Sequence, residues 1–111
     1  MQISQKEIED VTILSLSGNI AMGTDDVQLR QAVSDALNKG ARKLLISLAN
    51  VRSVDSSGIG ALVSAYTSVS GRGGKLRLCN LPASVKNVLE VTQLNTVFET
   101  FDTEEAALAS F

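Results

Sequence analysis

Alternating apolar and polar positions at the start of the chain predict a β-hairpin. Residues 3–8 and 11–17 are the two predicted strands, joined by a tight turn at residues 9–10 and ended by Gly18.

Apolar residues at helical spacing after the hairpin predict a first helix. Thr24 is a candidate cap, Asp25 and Asp26 lie in the first turn, and Gly40 ends this first helix, whose inward residues are Leu29, Val33, Ala36 and Leu37.

The middle of the chain alternates strands and helices. Residues 43–48 are a short, nearly continuous apolar run, which is typical of a buried central strand. A second helix follows and ends in glycines, and its inward residues are Ile59, Leu62, Val63, Tyr66 and Val69. Residues 75–79 form another strand, and Pro82 begins a third helix that runs to Val91.

The C-terminal part predicts a last strand at residues 97–101 and a terminal helix, for which Asp102 and Glu105 resemble a capping box. The order of elements predicts one α/β domain over residues 1–111. Its mixed β-sheet combines an antiparallel N-terminal hairpin with partly parallel, right-handed crossovers, and about four helices cover it.

Composition excludes several classes of function. The net charge is −2 without a basic block, and aromatic residues are few, so direct nucleic-acid binding is not expected. The chain has no histidine, which removes the base of Ser-His-Asp and Cys-His catalysis, and its single Cys79 makes a zinc site improbable. We expect no enzymatic activity, cofactor, metal or membrane insertion, and a reducing cytoplasmic location with Cys79 buried.

The most informative segment is Val54-Asp55-Ser56-Ser57-Gly58-Ile59-Gly60-Ala61-Leu62, which follows a strand and opens a helix. Two interpretations remain open. In the structural one, Asp55 or Ser56 caps the helix and Gly58 and Gly60 permit close packing. In the functional one, Ser56 is a modifiable serine, because the helix dipole tolerates a phosphate there and the added charge changes only the docking surface.

One face of the second helix is built from small residues: Gly60, Ala61, Ser64, Ala65 and Ser68. This face either packs under a neighbouring helix or receives a partner that lies flat along it, beginning at Ser56.

Other candidate motifs have simpler explanations. Gly58 and Gly60 lack the third glycine of a dinucleotide fingerprint, and the glycines of residues 71–74 are followed by a strand and not by the helix of a phosphate loop. Asp25 and Asp26 are better explained by the helix dipole than by a metal cluster with Asp55. Arg52 and Arg72 are treated as solvated surface charges.

The chain resembles the STAS domain family, and within it the freestanding bacterial anti-sigma factor antagonists. The resemblance covers almost the whole chain and is most specific at residues 54–60, where Asp-Ser-Ser-Gly-aliphatic-Gly follows a strand. It implies an unmodified protein that binds an anti-sigma factor and thereby releases a sigma factor. The anti-sigma factor is expected to be a serine kinase that phosphorylates Ser56, with Ser57 as the fallback, and a serine phosphatase reverses the modification.

The residues expected to contact the partner comprise the start of the second helix, its small face and the loop after the hairpin: Asp55, Ser56, Ser57, Gly58, Gly60, Ala61, Ser64, Asn19 and Ala21. The chain departs from the family in that loop, because relatives often carry acids where Asn19 and Ala21 stand. An alternative therefore stays open: a STAS scaffold subunit of a stress-signalling complex or of a lipid-transport ABC system. A small-molecule sensor is a third option and requires a sizeable apolar pocket.

Overall fold

A five-stranded sheet organises the fold. The computed structural model of the protein describes residues 1–20 and 23–111. Its strands lie side by side in chain order: β1 (Gln2–Ile8), β2 (Val11–Ile20), β3 (Lys43–Val54), β4 (Lys75–Cys79) and β5 (Glu99–Phe101). β1 and β2 are antiparallel and the other neighbours are parallel, which confirms the predicted mixed sheet with an N-terminal hairpin.

The helices lie on both faces of this sheet and follow the predicted order: α1 (Thr24–Asn38), α2 (Ser56–Gly71), α3 (Ala83–Val91) and α4 (Glu104–Ala109), with a short 3-10 turn at Leu94–Thr96. Successive strand residues point to opposite faces, so the sheet has two cores. Leu14, Ile46 and Leu78 pack with α1, α2 and α3, whereas Ile13 and Leu45 pack with α4.

The second strand is longer than the sequence predicts. Gly18 adopts a φ of +90° but does not end β2, which continues to Ile20 alongside an equally extended β3. The pairing shifts register after Ser15 and again after Gly18. The prediction that Gly18 ends the strand is wrong, because pairing with the far end of β3 outweighs the flexibility of one glycine.

Two predicted helix caps are displaced by one residue. Gly23 precedes α1, and Thr24 is the first helical residue and forms no side-chain cap. At α4 the cap is Thr103, whose hydroxyl accepts the N–H of Ala106 at 3.1 Å. The Asp102 carboxylate instead accepts a hydrogen bond from Lys86 at 3.4 Å.

Candidate functional site

The start of α2 is formed by a capped turn directly after the central strand. Asp55 has extended backbone angles, and its Oδ1 accepts the N–H of Gly58 at 2.9 Å. The carbonyl of Asp55 accepts the N–H of Ile59 at 3.0 Å, which is the first hydrogen bond of the helix. Of the two caps that the sequence left open, the structure therefore selects Asp55, an interaction that contributes about 1 kcal/mol to stability.

The two serines after the cap differ in accessibility. Ser56 is exposed, whereas Ser57 is half-buried. Ser56 is the first residue of the helix, where backbone N–H groups lack intrahelical acceptors and the dipole is positive. The capping role belongs to Asp55, and Ser56 itself is exposed, which is the accessibility that a modifying enzyme needs.

Gly58 fixes the helix start against the sheet. A Cβ atom on this buried glycine would lie 2.7 Å from Cγ1 of Val54 and 2.8 Å from the carbonyl oxygen of Ile20. The N–H of Asp55 donates to the same carbonyl of Ile20 at 3.1 Å. Gly58 was predicted to contact a partner; the structure places it in the interior, where it allows close packing of the helix start against the sheet.

The end of β2 lies next to this helix start. Asn19 pairs in the sheet with Ser53, which precedes Asp55 by two residues. The Ser53 hydroxyl donates to Oδ1 of Asn19 at 3.1 Å. Asn19 is exposed, so the topology brings it to the edge of the sheet at which Ser56 stands. Ala21, the other predicted contact from this loop, lies outside the described residues.

The small-residue face of α2 is largely covered by α1. Ala61 is 0% exposed and Ala65 is 2% exposed, and both belong to the core that includes Leu29 and Val33 of α1. Ala61 was predicted to contact a partner, but it lies in the core, where its small side chain allows two helices of the same chain to approach closely. Gly60 and Ser64 are half-buried, so only the rim of this face reaches solvent.

A cation that the sequence did not single out lies beside this turn. Arg30, an exposed residue of α1, has its Nη2 atom 3.9 Å from where a Cβ on Gly60 would lie. No acidic residue occupies the first turn of α2. Sequence reasoning missed Arg30 because helical periodicity places it on a polar face and contains no information about the neighbouring helix.

The remaining candidate chemistry is separate from this turn. Among the described residues, no group of three His, Cys, Asp or Glu side chains is suitably placed for a metal ion. The guanidinium of Arg72 donates to Oδ1 of Asn38 at 2.9 Å, so it is used within the fold. Over the same residues, no helix combines the length and the apolarity required to cross a lipid bilayer.

An open groove of about 710 Å³ lies between β1 and α1. Ile3, Val27 and Ala32 form its apolar part, and glutamines and charged residues complete the lining. None of the residues at the start of α2 lines it. The groove therefore does not belong to the site around Ser56.

Comparison with known proteins identifies the family. A model of the STAS domain matches residues 2–107. A Thermotoga neapolitana homolog of the protein TM1081 is 33% identical over 103 residues, which cover 93% of this chain and 91% of the relative. The anti-sigma F factor antagonist of Paenibacillus polymyxa is 27% identical over 108 residues, which cover 97% and 92% of the two chains.

The fold also matches solved structures of the anti-sigma factor antagonist SpoIIAA from Bacillus. Its unphosphorylated form superposes with a TM-score of 0.77 at 20% identity, over 98% of this chain and 96% of SpoIIAA. Its phosphorylated form gives a TM-score of 0.76 at the same identity, over 98% of each chain. At this level of identity the agreement shows a shared fold.

Proposed function

The chain belongs to the STAS domain family, and from this membership we propose that it is an anti-sigma factor antagonist whose binding is switched off by phosphorylation of Ser56. One observation carries the proposal: Ser56 is exposed at a helix start whose cap is supplied by its neighbour Asp55. The full-length relative from Paenibacillus polymyxa supports the role, since it is named an antagonist of an anti-sigma factor.

In the proposed cycle the unmodified protein binds an anti-sigma factor, and the bound sigma factor is released. The anti-sigma factor is a serine kinase, and the Ser56 oxygen attacks the γ-phosphorus of its ATP while ADP leaves and a base of the kinase takes the hydroxyl proton. A serine phosphatase later hydrolyses the ester. The chain supplies an acceptor hydroxyl and a docking surface, so it requires no catalytic residue or cofactor of its own.

The geometry explains how one phosphate can end binding without unfolding the protein. Phosphate adds nearly two negative charges, which the positive end of α2 tolerates. The same charge must lose its water when a protein interface forms over it, which costs about 2–5 kcal/mol, or at least roughly a 30-fold loss of affinity. The contact surface that we propose comprises the accessible residues at this edge: Asn19, Asp55, Ser56, Ser57, Gly60 and Ser64.

The switch is tested by affinity purification with wild type, Ser56→Ala, Ser56→Asp and a matched control, Ser70→Asp. Ser70 is an exposed serine near the other end of the same helix, so its variant adds the same charge away from the proposed surface. We expect wild type, Ser56→Ala and Ser70→Asp to retain an anti-sigma factor and Ser56→Asp to lose it. Equal retention by both Asp variants would refute the switch, and phosphate mapped by mass spectrometry to another residue would refute the site.

The neutral side chain of Asn19 favours one second candidate. Relatives often carry an acid at this edge, and without it the chain can serve as a scaffold subunit of another assembly, such as a stress-signalling complex or a lipid-transport ABC system. The purification distinguishes the two functions, because a scaffold retains its partner in every variant, including Ser56→Asp.

A further inference from the structure

Arg30 is a cation that forms no direct ion pair with another described residue. It is exposed on α1, and within the described ranges it forms no ion pair, unlike Lys6, Lys43, Arg77 and Lys86. Asp26 lies one helical turn earlier on α1 but does not pair with it. The guanidinium is therefore available to an anion that comes within reach.

Arg30 lies close to the first turns of α2. Its Nη2 lies 3.9 Å from the Cβ position of Gly60. In an α-helix the Cα–Cβ bond tilts toward the N-terminus, so this position lies over the turn that contains Ser56. Ser56 precedes Gly60 by four residues, and such side chains are neighbours roughly 5–6 Å apart at Cβ. Gly60 leaves open the space that a larger side chain would fill.

We propose that Arg30 is the internal counter-ion of phosphoserine 56 and holds the phosphate against the α1–α2 junction of this chain. The inference rests on the proposed function, because it assigns the residue that receives the modification. The planar guanidinium can donate two parallel N–H groups to phosphate oxygens, which an ammonium cannot match in geometry. The first turn of α2 contains no acid that competes for Arg30, and the Asp55 carboxylate accepts the N–H of Gly58.

This pairing adds a second effect to the switch. In the unmodified protein Arg30 is free to contact a partner beside Ser56. In the phosphorylated protein the phosphate occupies Arg30, so the modification both introduces a negative charge and removes a positive one from the same surface. Each change reduces binding to a partner that recognises the unmodified form.

The test uses the full chain with phosphoserine incorporated at position 56 during translation, so no kinase is needed. The second pKa of the phosphate is measured by phosphorus NMR titration in the otherwise wild-type protein and in the Arg30→Gln, Arg30→Lys and Arg72→Gln variants. Arg72 is a matched control, since it lies 16 residues after Ser56, about 24 Å along the helix, beyond the Debye length of about 8–10 Å.

We expect the phosphate pKa to be higher in Arg30→Gln than in the parent by roughly 0.2–0.7 units, because a cation that pairs with the dianion favours deprotonation. Arg30→Lys should restore part of the shift and Arg72→Gln none of it. Equal pKa values in the parent and Arg30→Gln would overturn the proposal. Because Arg30 is exposed, its variants should keep the wild-type melting temperature, which verifies that the fold is intact.

The titration can fail or succeed separately from the proposed function. The titration reports the contact even if no cellular kinase modifies Ser56, and that question is decided by mapping the phosphate in cells. Conversely, a phosphoserine-56 protein that fails to show the pKa shift but loses its anti-sigma factor would overturn the role of Arg30 and leave the switch standing.

Discussion

The starts of α2 and α4 have the same cap but different surroundings. Asp55 and Thr103 each accept the N–H of the residue three positions later, at 2.9 and 3.1 Å. The first turn of α4 carries Glu104 and Glu105, which complement the helix dipole. The first turn of α2 carries no acid and contains two serines. One helix start is therefore electrostatically complete, whereas the other can accept negative charge.

This difference explains where a charge switch can be built. Added charge at α4 would repel two glutamates, whereas α2 has the Asp55 cap but no acid in its first turn, and Arg30 lies near Gly60, one turn after Ser56. The start of α2 is also held rigidly by Gly58 against Val54 and Ile20, so its surface can change without movement of the backbone. The start of α2 can therefore gain a negative charge without a change in the fold.

The largest expected effect tests this rigidity. Gly58→Ala places a methyl group 2.7 Å from Val54 and 2.8 Å from Ile20, and we expect a loss of about 1–3 kcal/mol in the free energy of unfolding. Gly60→Ala is the matched control. Among the described residues outside its own helix, its methyl group meets Arg30 alone, at 3.9 Å, so the higher helix propensity of alanine should stabilise the protein by up to about 1 kcal/mol.

Urea denaturation of the two variants measures both values. If Gly58→Ala were as stable as Gly60→Ala, the close packing at Gly58 would not be what fixes the start of α2 against the sheet. The proposed rigidity of this helix start would then be wrong.

The two caps should have different consequences when each is removed. Asp55→Ala and Thr103→Ala each cost about 1 kcal/mol, but α2 belongs to the main core while α4 covers the smaller one around Cys79. We expect Asp55→Ala to lower the denaturation midpoint and Thr103→Ala mainly to loosen α4. Cys79 reports this loosening because it is fully buried, and burial raises the pKa of its thiol.

Labelling of Cys79 with a thiol reagent under native conditions should therefore accelerate about fivefold in Thr103→Ala, which corresponds to about 1 kcal/mol of easier local opening. Asp55→Ala should have the smaller effect on the labelling rate. Equal acceleration in both variants would mean that the two helix starts open together as one unit.

The smallest effect concerns the charge position itself. Ser56→Glu should raise the free energy of unfolding by about 0.3–1 kcal/mol at low ionic strength, because it adds an acid to the first turn of α2, next to the Asp55 cap. Glu105→Gln should lower the free energy of unfolding by a similar amount, because it removes an acid from the first turn of α4. Both changes should shrink in high salt. Destabilisation by Ser56→Glu in thermal melts would contradict the tolerance of α2 for negative charge.

Much of the fold could be predicted from local pattern. The apolar run of residues 43–48 correctly indicated a central strand, and the spacing of Leu29, Val33, Ala36 and Leu37 correctly indicated the buried face of α1. The lengths of β2 and β3 could not be predicted, since the largely polar residues at their far ends form a strand only because they pair with each other.

The site was predictable only in part, for a related reason. Residue types and order along the chain determined the capped start of α2, the serine after the cap and the absence of an imidazole base. The packing of α1 on α2 decided the rest: it buried Ala61 and placed Arg30 next to Gly60, one helical turn after Ser56. Hydrogen bonds within a helix join near neighbours in sequence, whereas contact between two helices depends on the complementary shape of both.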